Sequence, residues 1–466
     1  MSIAERLYAL APASVQSCLI SVKGVVFSHE RFGGNYSNYL AGAIARTAWC
    51  RDQLEKYQLA RMSAFLQHAY RTTSYYRQVF DALSLRPEEV RTLEDLKVLP
   101  ILEKSTLREQ PEIVRSTANL GRILPATTSG TTGTPIRVGY FKDDMRERFA
   151  LLFRFLRDHG VTSDSRSVRL SGRTFFVGAE RNRIFWRYNA PRKQLFMSTY
   201  FLSEENLSCY VRKLVEFKPV LMDGYPSAMY IIARYMNQNG LSGSVPLRVA
   251  MPTGETLEDH YREEIVQAFP QSVVVNQYAS AEGAPLITEN TAGELVVNMD
   301  SGIFEFVRPG TVEAARPGEV AEMVVTSFTT RAFPLIRYRI GDTVLVGSKE
   351  RSSTWDMPVV DAIYGRQEDI VFSPYRGYVG RLSPALKVAP ASVKYCQVAQ
   401  VSDAEFELRV VPGHSYQRSD VDAVVDELKA RLGPVDVRVL EIQQLERGAN
   451  GKLRAVVGLA RSSAPQ

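Results

Sequence analysis

Thr127-Thr128-Ser129-Gly130-Thr131-Thr132-Gly133-Thr134-Pro135 sets five threonines, a serine and two glycines into nine residues of a 466-residue chain. Glycines let successive backbone N–H groups turn toward one anion, and hydroxyls add donors that rotate to follow a polyphosphate as it reacts. The same composition suits a polar surface loop, because Ser, Thr and Gly cluster in loops. The chain has no Gly-x-x-x-x-Gly-Lys-Ser/Thr spacing, so the run is not the common nucleotide loop. Four stretches nearer the C-terminus decide between cradle and loop.

They are Asn276-Gln277-Tyr278-Ala279-Ser280-Ala281-Glu282, Arg337-Tyr338-Arg339-Ile340-Gly341-Asp342, Gly365-Arg366-Gln367-Glu368-Asp369 and Asn450-Gly451-Lys452-Leu453-Arg454. With the first run they resemble, in the same order, the motifs of the adenylate-forming superfamily of acyl-CoA synthetases, peptide-synthetase adenylation domains and luciferases. Those motifs are the phosphate loop, aromatic-Gly-x-Thr-Glu, Tyr-Arg-x-Gly-Asp, Gly-Arg-x-Asp-Asp and a terminal Gly-Lys-x-x-Arg type, here with one residue fewer before Arg454. Each match is weak alone; the ordered series from 127 to 454 is specific. His68-Ala69-Tyr70 through Tyr75-Tyr76-Arg77, Leu93-Glu94-Asp95-Leu96-Lys97-Val98-Leu99-Pro100 and Asp223-Gly224-Tyr225-Pro226-Ser227-Ala228 resemble the phenylacetate-CoA ligase branch. Within that branch the likeness is to CapK-type proteins and their coenzyme-F-adenylating relatives.

The resemblance implies an α/β fold. A large multi-subdomain N-terminal body, residues 1–365, would bind AMP and the acyl group, and a small mobile α+β C-terminal domain, 366–466, would carry the adenylation lysine. It implies ATP and Mg²⁺, a carboxylic acid substrate and an acyl acceptor, with coenzyme A expected. An amine or hydroxyl of a sugar or secondary metabolite is the alternative acceptor, and a nucleotide-binding protein without turnover is the alternative of another class. Lys452, Thr132 and Glu282 take the catalytic roles. Thr128, Ser129, Gly130, Thr131, Thr132 and Gly133 would surround the departing phosphates, and Glu282 would hold Mg²⁺, a hard cation suited to one carboxylate plus phosphate oxygens. Thr253-Gly254-Glu255 and Tyr278 would meet adenine, Asp342 the ribose diol, and Arg366 would add a contact near the ribose. An acidic side chain suits a cis-diol because it offers only acceptors. Gln367 and Glu368 would form the hinge, and Tyr225, Pro226 and Trp186 the acyl pocket, where aromatic density favours a planar or apolar acid.

The chain departs from the family pattern at Ala281, where Thr is usual, at Ala279 for Gly, at Thr134 for Lys and at Glu368 for Asp. The first removes a hydroxyl that would face phosphate, a kind of loss worth up to about two to three orders of magnitude in rate.

Composition constrains less. Hydrophobic residues at 45% and charged residues at 23% are ordinary for a globular protein. A formal charge of +6 from 57 basic and 51 acidic residues is too scattered for a nucleic-acid stripe and compatible with anionic small molecules. Cys18, Cys50, Cys209 and Cys396 lack metal or disulfide-framework spacing, so a reducing cytoplasm is the expected compartment. The apolar stretch Leu7 to Phe27 is interrupted by Ser14, Gln16, Ser17, Ser21 and Lys23, which predicts an amphipathic element and no transmembrane segment. A homodimer is compatible with all of this.

Apolar spacing predicts a helix over about 45–81 and another from Ser227 to Met236, after the strand-like Val220-Leu221-Met222. Val273-Val274-Val275 reads as a buried strand delivering Tyr278 and Glu282 past its end, where open α/β sheets place ligands. Glu319 to Val325 and Phe333 to Tyr338 suggest a β-rich subdomain. Beyond Gly365 come a strand Phe406–Val411, a helix Val421–Leu432 with Ser419 as N-cap and Gly433-Pro434 as stop, and a strand Val435–Ile442. Asn450-Gly451 would turn a hairpin in the tail Leu445 to Val457.

Overall fold

The computed structural model describes residues 8, 10–127, 136–172, 183–366, 371–375, 377–379, 382–386, 388–390, 392–445 and 455–458. The expected phosphate-loop residues Thr128 to Gly133, the expected hinge pair Gln367 and Glu368, and Lys452 with the turn expected at Asn450-Gly451 lie outside the described residues.

The first of three larger sheets runs β4-β5-β3-β6-β7-β8, built from β3 (Ser167–Ser171), β4 (Trp186–Asn189), β5 (Gln194–Ser198), β6 (Leu221–Gly224), β7 (Val249–Pro252) and β8 (Val273–Val274). All pairings are parallel except β4 with β5. Both faces are covered, as parallel sheets require. Helices α6 (Glu204–Phe217), α7 (Pro226–Gln238) and α8 (Asp259–Ala268) bury Tyr210, Leu214, Ile232, Met236 and Ile265 on one face. On the other, Phe155 and Leu156 of α5 (Lys142–Asp158) pack against Leu221, Val249 and Met251. Helix α7 starts where expected because Pro226, at its first position, has no N–H to leave unpaired.

The second sheet is antiparallel, in the order β12-β13-β14-β15-β11-β10-β9. It comprises β9 (Gln277–Tyr278), β10 (Ile287–Glu289), β11 (Leu295–Val297), β12 (Gly302–Val307), β13 (Val320–Ser327), β14 (Tyr338–Val346) and β15 (Val359–Arg366). Its core takes in Met62, Phe65, Leu66 and Ala69 of α3 (Arg51–Thr72) and Tyr76 and Phe80 of α4 (Ser74–Ala82). The single helix expected over 45–81 is therefore two. Thr73 is extended, accepts the Tyr76 N–H on its side chain and so caps α4. The strand expected at 273–275 ends at Val274, and three residues later the chain is already in the second sheet.

The third sheet, β20-β19-β18-β21, belongs to β18 (Val393–Gln400), β19 (Glu405–Pro412), β20 (Asp436–Glu441) and β21 (Val456–Val457). With α9 (Asp422–Leu432) it encloses a core of its own, including Val398, Leu408, Val410, Val424 and Leu428. Gly433 stops α9 with φ +87°. Ser419 is not the N-cap: it sits inside a 3₁₀ turn, Arg418–Val421, that precedes α9. The turn is fixed by Asp420, whose carboxylate accepts the Gln417 N–H (2.9 Å) and the Ser392 hydroxyl (2.5 Å). Among the described residues no helix is long and apolar enough to cross a membrane. All four cysteines are unpaired.

Candidate active site

Strands β6 and β7 end side by side, with Gly224 opposite Pro252. The next residues, Tyr225 and Thr253, leave from the carboxyl edge of the sheet, and the Thr253 N–H donates to the Gly224 carbonyl (2.7 Å). Gly224 has to be glycine. Its φ is +143°, and a Cβ there would lie 2.3 Å from the Leu170 carbonyl oxygen. Gly254, at φ +82°, turns the following loop. Glu255 then points back, and its carboxylate accepts the Ser227 N–H (3.2 Å) at the first turn of α7. A carboxylate there satisfies an orphan donor and complements the helix dipole. The Thr253 hydroxyl accepts from the Gln277 side-chain amide (2.7 Å), which ties the loop to β9.

Tyr278, beside Gln277, donates its hydroxyl to Asp342 Oδ2 (2.7 Å). Burial, and next the Asp342 charge, hold the Tyr278 phenol well above its usual pKa, so it stays a donor. Its ring belongs to the core of the second sheet and is only 8% exposed. What it offers the site is mainly the hydroxyl on Asp342, not an open stacking face. Asp342 lies mid-strand, paired with Arg366 across β14 and β15. Gly365 beside it has φ +81°, and the Thr256 hydroxyl donates to the Tyr364 carbonyl (2.9 Å), linking the loop after β7 to the same strand.

The phosphate-loop run is bounded by a hairpin of β1 (Ile123–Thr127) and β2 (Arg137–Phe141), closed at Thr127 opposite Arg137. From β2, the Tyr140 hydroxyl donates to the Ala281 carbonyl (2.6 Å), holding the hairpin beside buried Glu282. Burial, and to a lesser degree the Glu282 carboxylate, push Tyr140 up to about 12, against the pull of Arg148. The Glu282 loop is further fixed by Ser280, whose hydroxyl accepts the N–H groups of Gly283 (3.1 Å) and Ala284 (3.0 Å). Arg148 bonds the carbonyls of both, at 2.9 Å each. Among the described residues no three metal-ligating side chains cluster. A buried carboxylate such as Glu282 is a donor of the kind Mg²⁺ takes when phosphate oxygens complete its shell. Ala281 is exposed, so its missing hydroxyl leaves no hole in the core.

The structure thus brings together Tyr225, Pro226, Thr253, Gly254, Glu255, Tyr278, Asp342 and the backbone of Arg366, with Glu282 beyond Tyr278. It does not bring Trp186. The register runs Trp186, Met197, Leu170, Gly224 across four strands, which puts Trp186 three strand spacings, about 14 Å, from the Tyr225 end of β6. On that edge strand its ring lies under Lys213 Nζ at 5.7 Å, so it does not line a pocket with Tyr225.

Sequence reading also missed residues that hold the site. Arg337 has φ +48° and spans Glu305 (2.9 Å) and the carbonyls of Lys97 (2.6 Å) and Leu99 (2.5 Å). Arg339 pairs with Glu322 and Glu103. Their signal was present, since both precede Asp342 in its motif and Lys97 and Leu99 lie in the segment that marks the branch. The C-terminal unit contacts the first sheet's helices through Arg234, which donates to the Lys394 carbonyl (3.2 Å), and through Tyr395, packed on their core.

A parallel sheet covered on both faces, an antiparallel sheet that carries the Tyr278–Asp342 pair, and a small terminal unit with its own core define a member of the adenylate-forming superfamily. No protein-family model matches the chain. It is 30% identical over 431 residues to Protein CapK of Staphylococcus aureus, covering 92% of this chain and 93% of that protein, and it belongs with CapK to the phenylacetate-CoA ligase branch. It is 26% identical to phenylacetate-coenzyme A ligase of Pseudomonas putida over 85% of this chain and 84% of that one. A 2-hydroxyisobutyryl-CoA ligase, crystallised in the postadenylation state, has the same fold with a TM-score of 0.70, 18% identity, and 89% and 91% of the two chains covered.

Proposed function

We propose that this protein is an ATP-dependent, AMP-forming carboxylate ligase that passes its acyl group to coenzyme A. The observation that carries the reading is the Tyr278 hydroxyl held on the Asp342 carboxylate at 2.7 Å, beside the Thr253-Gly254-Glu255 turn. An oriented acceptor pair next to a strand-end turn suits a ribose diol and its base.

In the first half-reaction a carboxylate oxygen attacks the α-phosphorus of ATP. The bond to the bridging oxygen breaks, and pyrophosphate leaves with the electron pair. In the second, a thiolate attacks the acyl carbonyl and AMP leaves. Asp342 holds the ribose, Tyr278 fixes which carboxylate oxygen faces it, and Thr128 to Gly133 donate to the departing phosphates. Lys452 supplies positive charge to the carboxylate and α-phosphate, where negative charge concentrates. Glu282 would hold Mg²⁺, which, when bound, neutralises charge on the phosphate oxygens. The unit from residue 366 onward pivots about Gln367 and Glu368 between the two steps. The acyl pocket begins at Tyr225 and Pro226 and takes a planar or apolar acid.

The test is ATP-dependent pyrophosphate release across a carboxylic-acid panel, with and without coenzyme A. Lys452→Ala should slow adenylation at least about a hundredfold while sparing transfer from a pre-made acyl-adenylate. Release with an acid that depends on an added amine or sugar, but not on coenzyme A, would assign the other acceptor class. No release with any acid, by protein that binds ATP, would make it a binding protein.

A further inference from the structure

Helix α1 (Ala13–Phe32) lies along β4, the edge strand of the first sheet. Its inner face closes that edge. Ser17 accepts the Tyr188 N–H (3.2 Å), and Ser21 accepts the Ala190 N–H (3.0 Å) and donates to the Tyr188 carbonyl (3.3 Å). Gly24 lets the helix press onto Asn189, where a Cβ would fall 2.0 Å from Oδ1. Side chains thus occupy the strand's outward hydrogen-bonding groups, a recognised protection of a sheet edge.

The outer face is the reverse of a solvated helix. Val15 is 46% exposed, Leu19 51%, Val22 64%, Val25 57% and Val26 53%. Five aliphatic side chains over three turns, each about half open, lie on this one helix rather than scattered singly, and an apolar patch of this kind is often functional. The charge around it is sparse: Lys23 is the only exposed Lys or Arg between Ala13 and Phe32. A helix lying on an anionic lipid surface carries a basic rim, and this one lacks it.

The spacing names the occupant. Val15, Leu19, Val22 and Val26 step by four, three and four, which is the seam of a two-helix coil. The seam is also its own antiparallel complement. Reversed about the Ile20–Ser21 peptide, Leu19 meets Val22 and Val15 meets Val26. A two-fold interface requires this reciprocity, in which residue i meets j and j meets i. We infer that α1 pairs antiparallel with α1 of a second copy of this chain, through Leu19–Val22 and Val15–Val26 layers repeated by the two-fold. The four layers make the apolar centre of an interface that the β4 edge flanks on each side.

Sedimentation of the full chain over about 1 to 100 µM should show a reversible dimer. Leu19→Lys and Val22→Glu, each on the exposed face and outside the proposed catalytic machinery, should keep the parent melting temperature and pyrophosphate release, yet dimerise at least about a hundredfold more weakly. Mixing the two variants should restore a dimer, because the heterodimer keeps one native Leu19–Val22 layer and in the other sets the introduced lysine of one copy against the introduced glutamate of its partner. Mixing Leu19→Lys with Val26→Glu should not. A parent that stays monomeric, variants that dimerise as the parent does, or equal recovery in both mixtures would overturn the proposal. So would a monomeric parent that sediments with anionic phosphatidylserine vesicles when the variants do not, which would assign the stripe to lipid.

Discussion

Asp342→Asn isolates the pair on which the functional reading rests. The substitution keeps shape but removes the charge and replaces one acceptor oxygen by a donor. In the native protein Oδ2 is engaged by Tyr278 at 2.7 Å, and β14–β15 pairing with Arg366 fixes the backbone beneath it. A hydrogen bond to a charged group is worth about 1.5–3 kcal/mol. ATP should therefore bind about 10- to 150-fold more weakly to the variant by calorimetric titration, an assay that needs no knowledge of the acid. The decisive arm uses 2′-deoxy-ATP. The parent should discriminate against it, and Asp342→Asn should bind both nucleotides about equally, closing a thermodynamic cycle between residue and hydroxyl. Tyr278→Phe leaves the charge but frees it to turn, so a smaller loss of about 2- to 12-fold is expected, the value of a neutral hydrogen bond. Since Asp342 is only half-buried, water can replace the phenol, and the melting temperature should scarcely move. If Asp342→Asn still distinguishes ATP from 2′-deoxy-ATP as the parent does, Asp342 does not hold the ribose.

Gly224→Ala should destabilise the fold by about 2–4 kcal/mol, because φ is +143° and the Leu170 carbonyl lies 2.3 Å from the new Cβ; an unchanged urea midpoint would contradict the strand-end geometry. Ala281→Thr places a hydroxyl at an exposed position, so stability should stay within about 0.5 kcal/mol while pyrophosphate release holds or rises. A fall in both would show that this loop is not arranged as the motif implies. Glu368→Pro should keep adenylation within about tenfold, or about 1.4 kcal/mol, and slow acyl transfer far more. Equal effects on both half-reactions in single-turnover experiments would remove residue 368 as the pivot.

Where short motifs set two side chains to meet, the sequence was readable. Tyr278 and Asp342 were chosen from two separate motifs and meet at 2.7 Å. The strand Leu221–Gly224, the start of α7 at Pro226 and the stop of α9 at Gly433 arise from residue types acting over a few positions. What escaped depended on distant register. Trp186 looked like a pocket aromatic because composition does not record which strand is the edge. The engagement of Glu255 with the Ser227 N–H was out of reach because it joins two separate loops. The break at Thr73 was hidden by apolar spacing that continues through it, and the outer stripe of α1 was hidden because a helix apolar on its exposed side reads the same as one apolar on its buried side.

Two of the three segments that marked the branch in sequence also share a mechanical role. His68 Nε2 bonds the Arg331 carbonyl at 2.8 Å, and the Tyr76 hydroxyl donates to the Pro334 carbonyl and accepts the Ile336 N–H, both at 3.0 Å. Arg337 reaches the carbonyls of Lys97 and Leu99, while Leu102 exchanges backbone bonds with Arg337 and Arg339 at 3.0 Å each. Successive points of the chain from 331 to 339 are thus fastened to residues 68–102, and the strand so fastened ends its approach at Gly341 and Asp342. A carboxylate that is to meet a cis-diol must be held to within about half an ångström, and these bonds add to the pairing of β14 with β13 and β15 in fixing the backbone of Asp342. Residues 68–102 hold the backbone that carries Asp342, which gives a physical reason for their company with its motif in sequence.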